Sequence, residues 1–170
     1  MDKQMWQRFD VTQERRGMRM RSFRTPEGIC DRLRAVAFAE LQARDGFRWA
    51  AATFDDAPQE LRESWLHLAE EEDKHMRWLL ERLEELGGRI DERAVPDSLW
   101  LSLSTADSPK DFAWRMMTAE ERGMEAGIKL EVVLAPIDKK SADLFARIAE
   151  EEAEHIRLAN QFFPEFLTGS

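Results

Sequence analysis

Two Glu-x-x-His motifs are the parts of this sequence whose residue types and spacing could do chemistry. Glu72 and His75 form the first motif, and Glu152 and His155 form the second, 80 residues further along the chain. Because residues three apart lie on the same face of an α-helix, each motif presents a carboxylate and an imidazole side by side. Both groups bind divalent ions such as iron and manganese. A single motif is weak evidence, but the repetition indicates a metal site shared by two helices.

One further glutamate belongs to each half of this repeat. Glu40 precedes Glu72 by 32 residues, and Glu120 precedes Glu152 by the same number. An internal repeat with this spacing predicts a pseudo-twofold arrangement in which equivalent residues face one another. The predicted metal ligands are therefore Glu40, Glu72, His75, Glu120, Glu152 and His155. Glu121 is the one rival to Glu120.

Helical periodicity places these six residues in the core. From Ile29 to Phe54, steps of three and four residues meet only apolar side chains except at Glu40, and such a stripe faces the core of a bundle. In the equivalent stripes of three further helices, the charged and imidazole residues are again members of the predicted set. A buried carboxylate without a partner is destabilising by several kcal/mol or takes up a proton. Two divalent cations would balance the four glutamates.

The donor set favours iron, with manganese as the alternative, because carboxylates dominate it and no cysteine pair is available. Four-helix bundles that hold two iron or manganese ions use this combination. They take one glutamate from each of two helices and Glu-x-x-His from each of the other two. We therefore expect two metal ions as the cofactor.

Four neighbouring residues each have two interpretations. Glu71 and Glu151 could accept a hydrogen bond from the histidine of the opposite motif, or they could face solvent. Gly123 and Gly127 follow Glu120 in the same helix, where they could border a cavity for oxygen or substrate, or allow close helix packing. The sequence leaves both choices open.

Capping residues mark four long helices that would position the ligands. Thr25-Pro26 and Ser108-Pro109 each place a side-chain cap before a proline at the first helical position. Gly87-Gly88, Pro136 and Pro164 mark helix ends. The expected helices cover about 26–54, 58–86, 109–135 and 140–163.

The connections between these helices predict how they pair. The first and third connections are short, so each joins two antiparallel neighbours. Residues 88–107 can run the length of the bundle, and they include a short helix near 96–103. The expected fold class is all-α, a four-helix bundle of two antiparallel hairpins joined by a long crossover. Residues 25–170 form this bundle, and residues 1–24 precede it as a basic N-terminal arm.

Charge is unevenly distributed along the chain. The net charge is −9, but residues 1–25 carry seven basic residues, among them Arg15 and Arg16, and three acidic residues, which gives +4. The arm is expected to lie on the acidic body of its own or a neighbouring subunit. Contact with nucleic acid is less favoured, because no aromatic-plus-basic motif accompanies the arm. Nucleic acid is therefore not an expected partner.

Composition narrows the class of protein further. The 170 residues suit one globular domain with 43% hydrophobic residues, and Cys30 is the only cysteine, so no internal disulfide forms. The sequence shows no secretory signal and no stretch of the ~20 apolar residues that a membrane span needs. We expect a soluble, cytoplasmic protein with no membrane partner.

These motifs resemble those of the ferritin-like superfamily, which includes rubrerythrins, ferritins and bacterial di-iron hydroxylases. More closely, the chain resembles a bacterial ferritin-like, di-iron carboxylate family of unassigned function, distantly similar to tRNA-modifying di-iron hydroxylases. The segments that carry the resemblance are 39–43, 69–75, 120–125 and 150–155. It implies a ferritin-like bundle with the same six metal ligands, and it brings no substrate with it. The chain has no tyrosine, so it cannot store a tyrosyl radical as ribonucleotide reductase small subunits do.

Several functions fit these expectations. The leading one is an oxygen- or peroxide-dependent oxidoreductase whose substrate and electron donor the sequence does not specify. The alternative is an iron oxidation, storage or detoxification protein without an organic substrate. A metal-free helical interaction module and a tRNA-directed hydroxylase are the remaining hypotheses. A homodimer is compatible with the sequence, which does not fix the oligomeric state.

Overall fold

A computed structural model describes residues 1–14 and 19–168 of the chain. Within these ranges the protein is mostly helical, and the all-α prediction is confirmed. The helices are α1 (Lys3–Trp6), α2 (Pro26–Thr53), α3 (Gln59–Glu85), α4 (Ser98–Leu103), α5 (Pro109–Leu134) and α6 (Lys139–Phe162). Two short strands, β1 (Val11–Thr12) and β2 (Val95–Pro96), pair in parallel, and a 3₁₀ turn covers Pro164–Thr168.

The predicted caps determine where the long helices begin and end. The Thr25 hydroxyl accepts a hydrogen bond from the Gly28 N–H at 3.2 Å, and Ser108 caps α5 in the same way. At the end of α3, Gly87 has a φ of +74°, and the Gly88 N–H donates to the Leu83 carbonyl at 2.9 Å. A residue with positive φ followed by such a bond is the usual C-terminal cap of a helix.

The four long helices form two hairpins. α2 packs along α3, and α5 packs along α6, each pair joined by a short connection. The long connection between α3 and α5 contains β2 and α4, and α4 contacts both α2 and α5. None of the helices in the described ranges is long and apolar enough to cross a bilayer.

The apolar core consists of two clusters, one on each side of the level where the predicted ligands lie. One cluster is built around Leu33, Leu79 and Phe145. The other is built around Phe47 and an aromatic group that includes Trp65 and Phe112. Along every long helix the predicted ligands fall between residues of the two clusters, so the polar level is enclosed from both ends.

Helix α2 is buried on more than one face, because the chain before it covers it. This N-terminal segment corresponds to the predicted arm, residues 1–24. Phe9 is only 5% exposed, and its ring centroid lies 4.8 Å from that of Phe38. The Trp6 Nε1–H donates to Asp45 Oδ2 at 2.8 Å. The described part of this segment therefore packs as an integral layer on the hairpin formed by α2 and α3.

A basic residue of the N-terminal segment pairs with acidic groups of the same chain. Arg21 Nη2 lies 2.6 Å from Asp31 Oδ1 and 2.9 Å from Glu92 Oε1. Two other basic residues of the predicted arm, Arg15 and Arg16, lie outside the described residues.

Candidate metal centre

The structure brings all six predicted ligands together in the middle of the bundle. Glu40 comes from α2, Glu72 and His75 from α3, Glu120 from α5, and the last pair from α6. All six are buried: Glu72 and His75 are 0% exposed, and Glu40 is the most accessible at 8%. The full set is Glu40, Glu72, His75, Glu120, Glu152 and His155.

These side chains form two overlapping groups of potential metal ligands. Glu40 and His75 share one group with Glu72 and Glu152, and Glu120 and His155 share the other with the same two glutamates. Within each group, ligand atoms from all four residues lie within 4.8 Å of one another. Glu72 and Glu152 therefore belong to both groups, and each group has one further glutamate and one histidine.

Both histidines direct Nδ1 towards the carboxylates. His75 Nδ1 lies 3.4 Å from Glu152 Oε1, and His155 Nδ1 lies 3.0 Å from Glu72 Oε1. The two imidazole rings are nearly parallel, with centroids 5.8 Å apart. Each histidine thus reaches across to a glutamate of the opposite hairpin, as the pseudo-twofold repeat predicts.

Several atoms of this cluster are buried without a hydrogen-bond partner in the part of the chain that the structure describes. They are both carboxylate oxygens of Glu72, one oxygen each of Glu120 and Glu152, and the Nδ1 atoms of His75 and His155. Buried polar atoms in proteins are nearly always satisfied. These atoms converge from three helices, α3, α5 and α6, and lack hydrogen bonds, so they suit the donor set of a metal site.

In the metal-free protein, the crowding of acidic groups shifts the pKa values of several side chains in the cluster. Burial, together with the nearby charges of Glu72 and Glu152, raises the pKa of Glu40 well above its usual value. Burial lowers the pKa of each histidine, but the nearby carboxylates of Glu152 and Glu72 outweigh it and raise the pKa of His75 and His155 to about 10. In the metal-free cluster the surrounding carboxylates therefore favour the protonated form of both histidines.

One of the two glutamates that precede the ligand glutamates hydrogen-bonds to a histidine of the opposite motif. His75 Nε2 lies 2.7 Å from Glu151 Oε2, so the imidazole can present Nδ1 to the cluster while Nε2–H donates outwards. Glu71 instead pairs with Lys74, which also lies 2.8 Å from Glu151. Among the described residues no hydrogen bond joins Glu71 to His155.

The two glycines of α5 prove to have different surroundings. A Cβ atom at Gly127 would lie 3.1 Å from Ala149 Cβ and 3.1 Å from the Phe145 carbonyl oxygen, so this glycine allows close packing on α6. A Cβ atom at Gly123 would meet nothing within 4 Å. Gly123 therefore borders open space.

Four acidic or histidine residues near the predicted ligands face solvent. Glu121, the rival to Glu120, is exposed on the outer face of α5, and His67 is exposed on α3. Glu70 and Glu150 also face solvent. Helical position thus separates the buried member of each acidic run from its solvated neighbours.

Sequence reasoning missed a buried cation beside the cluster. Arg44 follows Glu40 by one helical turn and is only 3% exposed. Its Nη1 donates to Asp73 Oδ1 at 2.7 Å, and its other nitrogens bond to Asp45 and Asp2. The network ties α2 to α3 next to Glu72. The apolar stripe from Ile29 to Phe54 marks only one buried face of α2. Arg44 lies on a second buried face, which the sequence pattern does not reveal.

Comparison with protein families gives one match that spans almost the whole chain. The family described as "Protein of unknown function (DUF455)" matches residues 3–168. No solved structure gives a significant match.

Curated relatives are more distant. A protein of Bordetella petrii named 3-demethoxyubiquinol 3-hydroxylase is 30% identical over 132 residues, which are 72% of this chain and 56% of the relative. A protein of the same name from Chromobacterium violaceum is 27% identical over 129 residues, or 72% of this chain and 60% of the relative. The chain therefore spans little more than half the length of these relatives.

Proposed function

We propose that this chain, which belongs to the DUF455 family of proteins of unknown function, is a dinuclear iron or manganese oxidoreductase. Its oxidant would be oxygen or peroxide, and its substrate an organic molecule. The observation that carries the proposal is the buried cluster of four glutamates and two histidines, in which six polar atoms from five of the side chains lack hydrogen bonds in the described ranges. Such a cluster is strongly destabilising unless cations occupy it.

The six side chains would provide ligands for two metal ions. Glu72 and Glu152 would contribute to both positions, while Glu40 and His75 would complete one position and Glu120 and His155 the other. A pair of reduced ions at these positions supplies the redox chemistry that oxygen or peroxide needs for activation. Two divalent ions would neutralise the charge of the four carboxylates.

The surrounding residues would orient the ligands and exclude water. Glu151 accepts the Nε2–H of His75 and fixes the tautomer in which Nδ1 is free to bind. The two apolar clusters close the site from both ends of the bundle. Water is thereby kept from reactive groups during oxidation.

The relatives support the class of reaction more than the substrate. Their shared name describes the hydroxylation of a demethoxyubiquinol, and hydroxylation is an oxidation of an organic molecule. The match covers 56% and 60% of their lengths. The relatives therefore support an oxidoreductase and do not identify the molecule that this chain oxidises.

The test is to load the metal-free protein anaerobically with Fe(II) and then to add oxygen or hydrogen peroxide in repeated rounds, with dithionite added before each round to reduce the iron again. An oxidoreductase should consume the oxidant while its iron content stays near two ions per chain and its assembly stays small on a sizing column. Accumulation of ferric mineral inside a hollow cage would instead establish the iron-storage alternative. Failure to consume either oxidant would contradict the proposal.

A further inference from the structure

We propose that the cleft between α2 and α5 is the substrate-binding site and that it receives a neutral, apolar group about the size of a benzene ring. This inference rests on the proposed function, because it gives the class of substrate for the same metal centre. The α2–α5 cleft is the cavity bordered by Val36, Ala39, Leu99, Ala119, Gly123 and Leu130.

The α2–α5 cleft exists because the two hairpins meet unevenly. α2 and α5 each pack closely against their own hairpin partner but touch one another at few places. Small side chains on both walls, such as Ala39 and Ala119, leave the gap open, and Phe145 and Ile148 of α6 form its apolar floor. The resulting cavity has a volume of about 110 Å³.

The cleft leads directly to the candidate metal centre. Three of the predicted ligands, Glu40, Glu120 and Glu152, contribute to its inner wall. Glu120 is only 7% exposed, and its Oε1 has no hydrogen-bond partner in the described ranges. A molecule in the cleft would therefore place one end beside the glutamates that hold the ions.

The lining determines the chemistry of the occupant. Apart from the three glutamates, the residues that border the cleft are aliphatic, aromatic, Met or Gly, and none is Lys, Arg or His. A phosphate or other anionic group would find no counter-ion there and would lose its hydration. A neutral apolar group gains by leaving water.

The volume sets the size of the group that fits. An engineered apolar cavity of ~150 Å³ binds benzene, and the cleft is somewhat smaller but open at its mouth. It can hold one ring or a branched group of similar size, with the rest of a larger substrate outside. A second cavity, lined by Trp65, Leu158 and Phe162 on the His155 side, has a volume of only about 20 Å³.

Gly123 is the residue that controls the size of this site. It lies on the wall of the cleft, where an added Cβ atom would meet nothing within 4 Å. A larger side chain at this position therefore starts in open space and can extend into the cleft. Gly123→Leu is therefore expected to fold normally and to fill the space that the substrate needs.

The experiment measures binding of toluene to the full-length protein by ligand-observed NMR, with and without bound Mn(II), and uses myo-inositol as a polar molecule of similar size. Toluene should bind to the wild-type protein, and myo-inositol should not. Gly123→Leu should weaken toluene binding by about tenfold or more, because its side chain removes the contacts available to the ligand, and Gly123→Ala should have an intermediate effect. Ser64→Leu, which fills the second cavity, should leave binding unchanged.

The outcomes separate this inference from the proposed function. Toluene binding that survives Gly123→Leu, or that is lost in Ser64→Leu, would overturn the assignment of the cleft. Equal binding of myo-inositol would overturn the apolar class. The metal content of the same samples is also measured. Two ions per chain without toluene binding would refute the substrate site alone. Toluene binding in a protein that takes up no metal would refute the proposed function alone.

Discussion

The two histidines of the cluster have equivalent positions in the repeat but unequal outer contacts. His75 has Glu151 at 2.7 Å from Nε2, whereas the matching glutamate, Glu71, turns to Lys74. The residues around His75 include Trp78, whose ring centroid is 5.8 Å away and lies under the guanidinium of Arg147. Of the two ligand groups, the one that contains His75 therefore has the more rigid surroundings.

Removal of the outer carboxylate should weaken metal binding. Glu151→Ala leaves the Nε2–H of His75 without its acceptor, and loss of such a partner typically lowers metal affinity about 10–100-fold. Titration with Mn(II) followed by calorimetry measures the effect. Glu150→Ala is the matched control, because Glu150 is the exposed neighbour in the same helix. Equal affinities for the two variants would show that the hydrogen bond does not support the site.

Metal binding should also release protons at neutral pH. The pKa of both His75 and His155 is about 10 in the metal-free protein, so both are protonated at pH 7 and must lose a proton before Nδ1 can bind a cation. Metal affinity should therefore rise with pH, with about two protons released per chain. Calorimetric titrations at pH 7 in buffers of different ionisation enthalpy count these protons. A heat of binding that does not depend on the buffer would contradict the prediction.

The burial of the candidate ligands could be predicted from the sequence, because each of them interrupts an apolar helical stripe. Glu120 interrupts an apolar stripe, while Glu121 does not, and the structure buries the first and exposes the second. Arg44 could not be predicted in this way. Its burial depends on Asp2 and Asp73, which are distant in sequence and belong to no repeated pattern.

At the scale of elements, helix ends and pairing follow from local chemistry. The caps at Thr25 and Ser108 and the positive φ of Gly87 were all predictable, since each depends on residues within one turn. The roles of the two glycines of α5 were not predictable. They depend on which wall of α5 faces α6 and which faces the gap towards α2, and only the packed structure distinguishes these walls.

Gly127→Leu should destabilise the protein, whereas Gly123→Leu should not. A side chain at Gly127 would be forced against Ala149 and the Phe145 carbonyl, each 3.1 Å from the position of Cβ, and overpacking of this kind costs about 1–3 kcal/mol. At Gly123 the same change meets open space and gains up to about 1 kcal/mol in helix propensity. Urea unfolding measures both free energies. Equal stabilities would show that α5 does not pack closely on α6 at Gly127.

At the scale of the whole molecule, the N-terminal segment is part of the packed structure. The sequence suggested an arm because the net charge of residues 1–25 is opposite to that of the rest of the chain. Composition does not reveal that Trp6 and Phe9 both pack against Phe38 of α2, or that Trp6 hydrogen-bonds to α2. The bundle was predictable because its helices carry periodic stripes. The covering layer lacks such a period, since α1 has only four residues and β1 only two.

Phe9→Ala should lower the free energy of unfolding by about 3 kcal/mol or more, as expected for truncation of a buried phenylalanine. Val11→Ala, at a residue that is 37% exposed in the same segment, should change the free energy by no more than about 0.5 kcal/mol. Thermal or urea unfolding of the full-length variants measures both changes. Indistinguishable stabilities would mean that the N-terminal segment does not contribute to the core.

The metal content of the whole protein tests the central claim most directly. Protein produced with ample iron and manganese is measured by elemental analysis, alongside Glu120→Ala and His67→Ala. We predict about two ions per chain for the wild type and for the exposed His67→Ala control. Glu120→Ala should retain about one ion, because Glu120 belongs to one ligand group and not to the other. Less than one ion per chain in the wild-type protein, or an unchanged content in Glu120→Ala, would contradict the dinuclear site.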